Sequence, residues 1–205
     1  MVKLPSVRKI LQALYYLQSN APFDNNDRFN RVYLLKMLYF SDRHHLRHFG
    51  CLATDDTYIA MKLGPVASTA SNILKRVTYN INSAEIDYLS YVKDLSENEV
   101  EIMTQNNDEL SESFKESLDF SLREFGRYSW TTQSAFSHNY PEWKKHGTKL
   151  SYVNPSIIME IEDFFDDPED DTWLSKFEKD CDPFKEDKEF LAILKEDLNA
   201  DSVSA

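Results

Sequence analysis

Four glycines in 205 residues limit the backbone this chain can build. Gly50, Gly64, Gly126 and Gly147 stand singly and far apart. A P-loop and a dinucleotide-binding turn both need clustered glycines, because the backbone must approach phosphate closely. The common nucleotide-binding folds are thereby excluded. What remains is a chain whose 41% hydrophobic residues must be organised by helix and strand periodicity.

That periodicity is mostly helical. Val7, Ile10, Leu11, Leu14 and Leu17 recur at helical spacing after Pro5. Residues 30–49 form a second helix with Val32, Leu35, Leu38, Tyr39, Leu46 and Phe49 as its stripe, and Gly50 stops it. Weak alternation over 57–62 predicts a short strand, and Gly64-Pro65 opens a third helix through Val77. Residues 86–105 turn to a β pattern, two strands around the loop Leu95-Ser96-Glu97-Asn98. Ser111 and Ser129 are N-caps for two further helices, and Pro141 ends the second of them. Asn154-Pro155 caps a last helix over 156–165. The expected fold is α+β and predominantly helical: one domain over 1–165 with a small antiparallel sheet or hairpin inserted between helices. Residues 166–205 read as an acidic extension with short amphipathic helices.

The charge is divided along that boundary. Residues 1–159 hold 18 acidic and 18 basic side chains, whereas 160–205 hold 17 acidic against 5 lysines. The whole net charge of −12 thus lies at one end. Such a tail repels nucleic-acid phosphate and attracts a basic partner. Cys51 and Cys181 show no paired spacing, which suits a reducing compartment. No apolar run approaches a membrane span and no cleavage signal follows the N-terminus, so a cytoplasmic chain is expected.

Chemistry is harder to find. His44, His45 and His48 crowd one helix beside Asp42. His44 and His48 share a face at i and i+4, the spacing of two-histidine zinc motifs, but the residue after His44 is histidine where that motif needs glutamate. No third ligand is evident, and ordinary helix geometry accounts for the cluster. A nucleophile elbow is absent, and Asp55-Asp56 reads as a polar loop. The basic pairs Arg43/Arg47 and Lys144-Lys145 read as solvated faces. In the tail, Trp173, Phe177, Phe184, Phe190 and Leu194 are more apolar anchors than solubility alone requires.

Three segments, LLKMLYFSDRHHLRHFG, TDDTYIAMKLGPVASTASNIL and LSESFKESLDFSLREFGRYSWTTQSAFSHNYPEWKKH, occur in an order and spacing that resembles the Panacea domain, the SocA-like antitoxin family also described as phage-associated. The resemblance runs from about residue 7 to 165. It implies a non-enzymatic antitoxin without cofactor or metal, which neutralises a cognate protein toxin by direct binding or delivers it to an ATP-dependent protease. The acidic tail points to a basic toxin. Family members often carry a DNA-binding segment ahead of this domain. This sequence opens on the domain's first helix, so autoregulation by DNA binding is not expected, and with the acidic tail and no apolar span neither nucleic acid nor membrane is expected as a partner. Within the resemblance, Tyr58, Lys62, Gly64 and Pro65 could form a surface that His138 and Trp143 close, with Trp173, Phe177, Phe190 and Leu194 adding contacts from the tail. The competing classes are a metal-assisted hydrolase using His44 and His48, and a transcriptional repressor.

Overall fold

The computed structural model describes residues 5–79, 81–103, 107–169 and 174. It is mostly helical with small antiparallel sheets. The first helix, α1 (Val7–Asn20), begins where Ser6 Oγ accepts the N–H of Lys9. It buries Val7, Ile10, Leu11, Leu14 and Leu17 as the spacing predicts. The second, α2 (Arg31–Phe49), starts on Asn30, whose side chain accepts from the Val32 and Tyr33 amides. It ends at Gly50, where φ is +80° and the amide donates to Leu46 O.

α2 is the axis of the molecule. Instead of a single stripe, it is buried without interruption from Tyr33 to Arg43. A helix enclosed all round belongs at the centre of a core. α1, α4 (Glu112–Phe125) and α5 (Trp130–Ser137) pack around it. Phe40 stacks on Phe125 with ring centroids 3.9 Å apart. Ser111 and Ser129 cap α4 and α5, accepting from Phe114 N and Thr132 N.

The stretch after α2 departs from expectation in an informative way. β1 (Tyr58–Met61) forms as a strand, but Gly64-Pro65 does not open a helix. It begins β2 (Gly64–Ala67), which pairs antiparallel with β1 in the register Tyr58–Ala67 to Met61–Gly64. The helix α3 (Ser68–Leu74) follows only then. Its cap comes from far back in the chain: the Asp56 carboxylate accepts the Thr69 and Ala70 amides, each at 2.9 Å. Asp56 is therefore a buried helix cap rather than part of a polar loop.

β3 (Val92–Asp94) and β4 (Val100–Ile102) form the expected hairpin, shortened because residues 83–91 wind into 3-10 helix. α6 (Pro141–Gly147) carries Pro141 at its first turn. The helix expected over 156–165 is absent. β5 (Ser156–Ile158) joins β1 instead, giving the sheet order β2-β1-β5, and a 3-10 turn occupies 161–165. No described helix is long and apolar enough to cross a membrane.

Candidate partner-binding surface

The site is built around the two-residue turn between β1 and β2. Ser134 of α5 donates its hydroxyl to Leu63 O at 2.8 Å, and Trp143 of α6 donates its indole N–H to Met61 O at 3.0 Å. His138 stacks on Trp143 with ring centroids 3.8 Å apart. From behind, Lys36 Nζ donates to Pro65 O at 2.6 Å. Gly64 sits at φ +101°, and a Cβ there would collide with Ser137 Oγ and come within 2.8 Å of Lys36 Nζ. The hairpin tip is thus clamped by two helices and a buried lysine. Only Lys62 and Leu63 at its crest project freely, Leu63 being 43% exposed.

The structure brings Lys62, Gly64, Pro65, His138 and Trp143 together at this tip. Lys62 faces solvent, His138 and Trp143 are half-buried, and Gly64 and Pro65 are buried. Tyr58 lies in the core, its hydroxyl donating to Asp42 at 2.9 Å. Trp173, Phe177, Phe190 and Leu194, like Phe184, lie outside the described residues.

Burial governs the ionisation of this region. Lys36 has no solvent access, and desolvation lowers its pKa to about 7. His138 is lowered by burial first and by Lys36 second. Asp42 is raised to about 6 by burial, against the hydrogen bonds from Thr54 and Tyr58 that favour its charged form.

The three histidines do not converge on a common point. His44 and His48 stack ring on ring at 3.8 Å and 18°, so their lone pairs run side by side and do not converge. Nδ1 of His44 meets Ser117 Oγ, and Nδ1 of His48 meets His44 O. His45 is held between Cys51 O and Ser113 Oγ. Burial, then His48, lowers the His44 pKa to about 3, leaving it neutral. Among the described residues no three His, Cys, Asp or Glu side chains gather to hold a cation.

The two arginines beside them contradict the reading of solvated faces. Arg43 and Arg47 are almost wholly buried. Arg43 Nε pairs with buried Glu142 at 2.8 Å, and Tyr39 donates to the same carboxylate oxygen at 2.5 Å. The Arg43 guanidinium lies over the Tyr140 ring at 4.3 Å. Arg47 pairs with Asp167 at 2.7 Å, and both arginines donate to Asp166 O. The start of the acidic segment is thereby pinned to α2. Phe40, His44, Phe120 and Tyr140 line a notch above these arginines of about 10 Å³, room for one water molecule.

A family model described as "Antitoxin SocA-like, Panacea domain" matches residues 34–144, which span the region from α2 to α6. The chain belongs to this family. Neither the search of curated proteins nor that of solved structures gives a match. The Panacea match is narrower than the 7–165 expected from the sequence, leaving α1 and β5 outside it. Every group that braces the hairpin tip, from Lys36 to Trp143, falls within the matched span. Sequence reasoning missed the roles of Lys36, Ser134 and Ser137. The one available signal was a lysine in the apolar run Leu34-Leu35-Lys36-Met37-Leu38.

Proposed function

We propose that this protein is the antitoxin of a toxin–antitoxin pair and that it neutralises a cognate protein toxin by covering part of its surface. The observation that carries the proposal is the Panacea match across α2 to α6. The braced hairpin tip fits such a role. A surface held rigid before binding loses little entropy on docking, so more of its contact energy appears as affinity. Lys62 and Leu63 supply the exposed crest, with the accessible edges of Trp143 and His138 beside it. No substrate is transformed, and no cofactor takes part.

The acidic residues from 160 onward add long-range attraction toward a basic toxin, raising the association rate more than the final affinity. Tail residues Trp173, Phe177, Phe190 and Leu194 supply further apolar contacts once the toxin is engaged.

Co-expression with the product of the adjacent gene tests the proposal. Growth is restored and the two proteins co-purify. Restored growth with no complex, and a shortened toxin half-life, would assign the chain to the delivery of its toxin to an ATP-dependent protease instead. Salt-dependent binding to its own promoter would favour a repressor.

A further inference from the structure

β5 has an open edge. Its pairs with β1 are Ile59–Ile158, Ala60–Ile157 and Met61–Ser156, and the Met159 amide donates to Tyr58 O at 3.0 Å. Bonded and non-bonded pairs alternate along an antiparallel ladder. Tyr58–Met159 and Ala60–Ile157 are therefore the bonded pairs, and the N–H and C=O groups of Ser156 and Ile158 face away from β1. None of these four groups has a hydrogen-bond partner among the described residues. Ile158 is 65% exposed, and the turn before the strand, closed by Ser151 and Asn154, presents Tyr152 and Val153 fully to solvent.

Solitary edge strands are normally guarded by lysine, proline or an inward-pointing charge within the strand. The three residues of β5 carry none of these, and Pro155 stands just before the strand, outside the pairs that the open groups of Ser156 and Ile158 would make. In a chain that is 28% charged, the twelve residues 150–161 hold a single charge, Glu160.

We propose that the free edge of β5 pairs with the β5 edge of a second copy of this chain, joining two three-stranded sheets into one of six strands. The register follows from the strand itself. A two-fold axis through Ile157 sets Ser156 of one copy opposite Ile158 of the other, so that all four open groups of each strand are satisfied. Continued outward, the same register sets Glu160 opposite neutral Asn154 and Val153 opposite Ile161. No like charges oppose each other, and the exposed valine gains an apolar neighbour. Association through one self-complementary patch is the common closed form of a dimer.

Sedimentation velocity of the full chain over a range of concentrations tests this. The wild type is a reversible dimer, tighter at high salt, where repulsion between the acidic ends is screened. Ile158→Pro removes an N–H that β1 does not use, and Val153→Asp places a charge at the contact. Each weakens self-association by about tenfold or more while the circular dichroism spectrum stays unchanged. Register is tested separately with Ile157→Cys in a Cys51→Ser, Cys181→Ser background. The two thiols meet across the axis at a non-bonded pair, with Cα atoms about 4.5 Å apart, and mild oxidation gives a covalent dimer. A chain monomeric at every concentration would overturn the proposal, as would a dimer indifferent to both substitutions. So would a monomer whose complex with the adjacent gene's product is lost in Ile158→Pro, which would give the edge to that partner.

Discussion

The side-chain nitrogen of Lys36, in the N-terminal half of α2, lies 2.6 Å from the carbonyl oxygen of Pro65 and is sealed from solvent. This contact joins the core helix to the β1–β2 hairpin, and the burial that goes with it makes stability rise with pH above neutrality. The Lys36 pKa falls from 10.5 to about 7 on folding. Between those values the unfolded chain binds a proton that the folded chain does not, so stability rises with pH across the window. Below about pH 7 both states are protonated and the slope from this group vanishes. The rise is on the order of a few kcal/mol. Urea titrations between about pH 7 and 9.5 will show it, and Lys36→Met flattens it.

Gly64 is the second point at which the hairpin depends on close approach. Gly64→Ala puts a methyl group against Ser137 and Lys36 at a φ that alanine rarely adopts. The substitution is expected to cost about 2 kcal/mol or more. Denaturant midpoints measure the loss directly.

The pair Arg43 and Glu142 illustrates what the sequence concealed. Breaking it with Arg43→Met leaves a buried carboxylate uncompensated and costs about 3–5 kcal/mol. Removing both charges in Arg43→Met, Glu142→Leu costs clearly less than the sum of the single changes. A double-mutant cycle by equilibrium unfolding gives the coupling.

His44 makes a contribution of the same sign at low pH. Its folded pKa, about 3, lies below the ordinary 6.5. Stability is therefore lost as pH falls from about 6.5 toward 3, because the unfolded chain takes up a proton the folded chain refuses. His44→Phe keeps the stack on Phe120 and removes that loss. Thermal unfolding at pH 4 and pH 7 should show a smaller difference in the variant than in the wild type.

Local signals in the sequence were reliable where local chemistry decides. Ser111 and Ser129 cap their helices through their own side chains, and Gly50 stops α2 in the left-handed region. The errors share one cause, which is partners far away in the chain. Gly64-Pro65 looks like a helix start, but pairing with β1 and the hydrogen bond from Lys36 hold it extended. Residues 156–158 look like the first turn of a helix, yet they complete a sheet with a strand nearly a hundred residues earlier. Arg43 and Arg47 look solvated until Glu142 and Asp167 arrive from beyond α5. Of the candidate surface, Lys62, Gly64, Pro65, His138 and Trp143 were legible as a group through the family resemblance. Lys36, which fixes their geometry, was hidden as one polar residue in an apolar run.

Titration calorimetry of this protein against the product of the adjacent gene, with wild-type and Leu63→Asp chains side by side, tests most directly whether it works by covering a partner through the hairpin crest. A stoichiometric complex is expected, weakened by about tenfold or more in Leu63→Asp while the melting temperature is unchanged. Undiminished binding by the Leu63→Asp chain, or no binding by the wild type in a strain whose growth it restores, would contradict that mode of action.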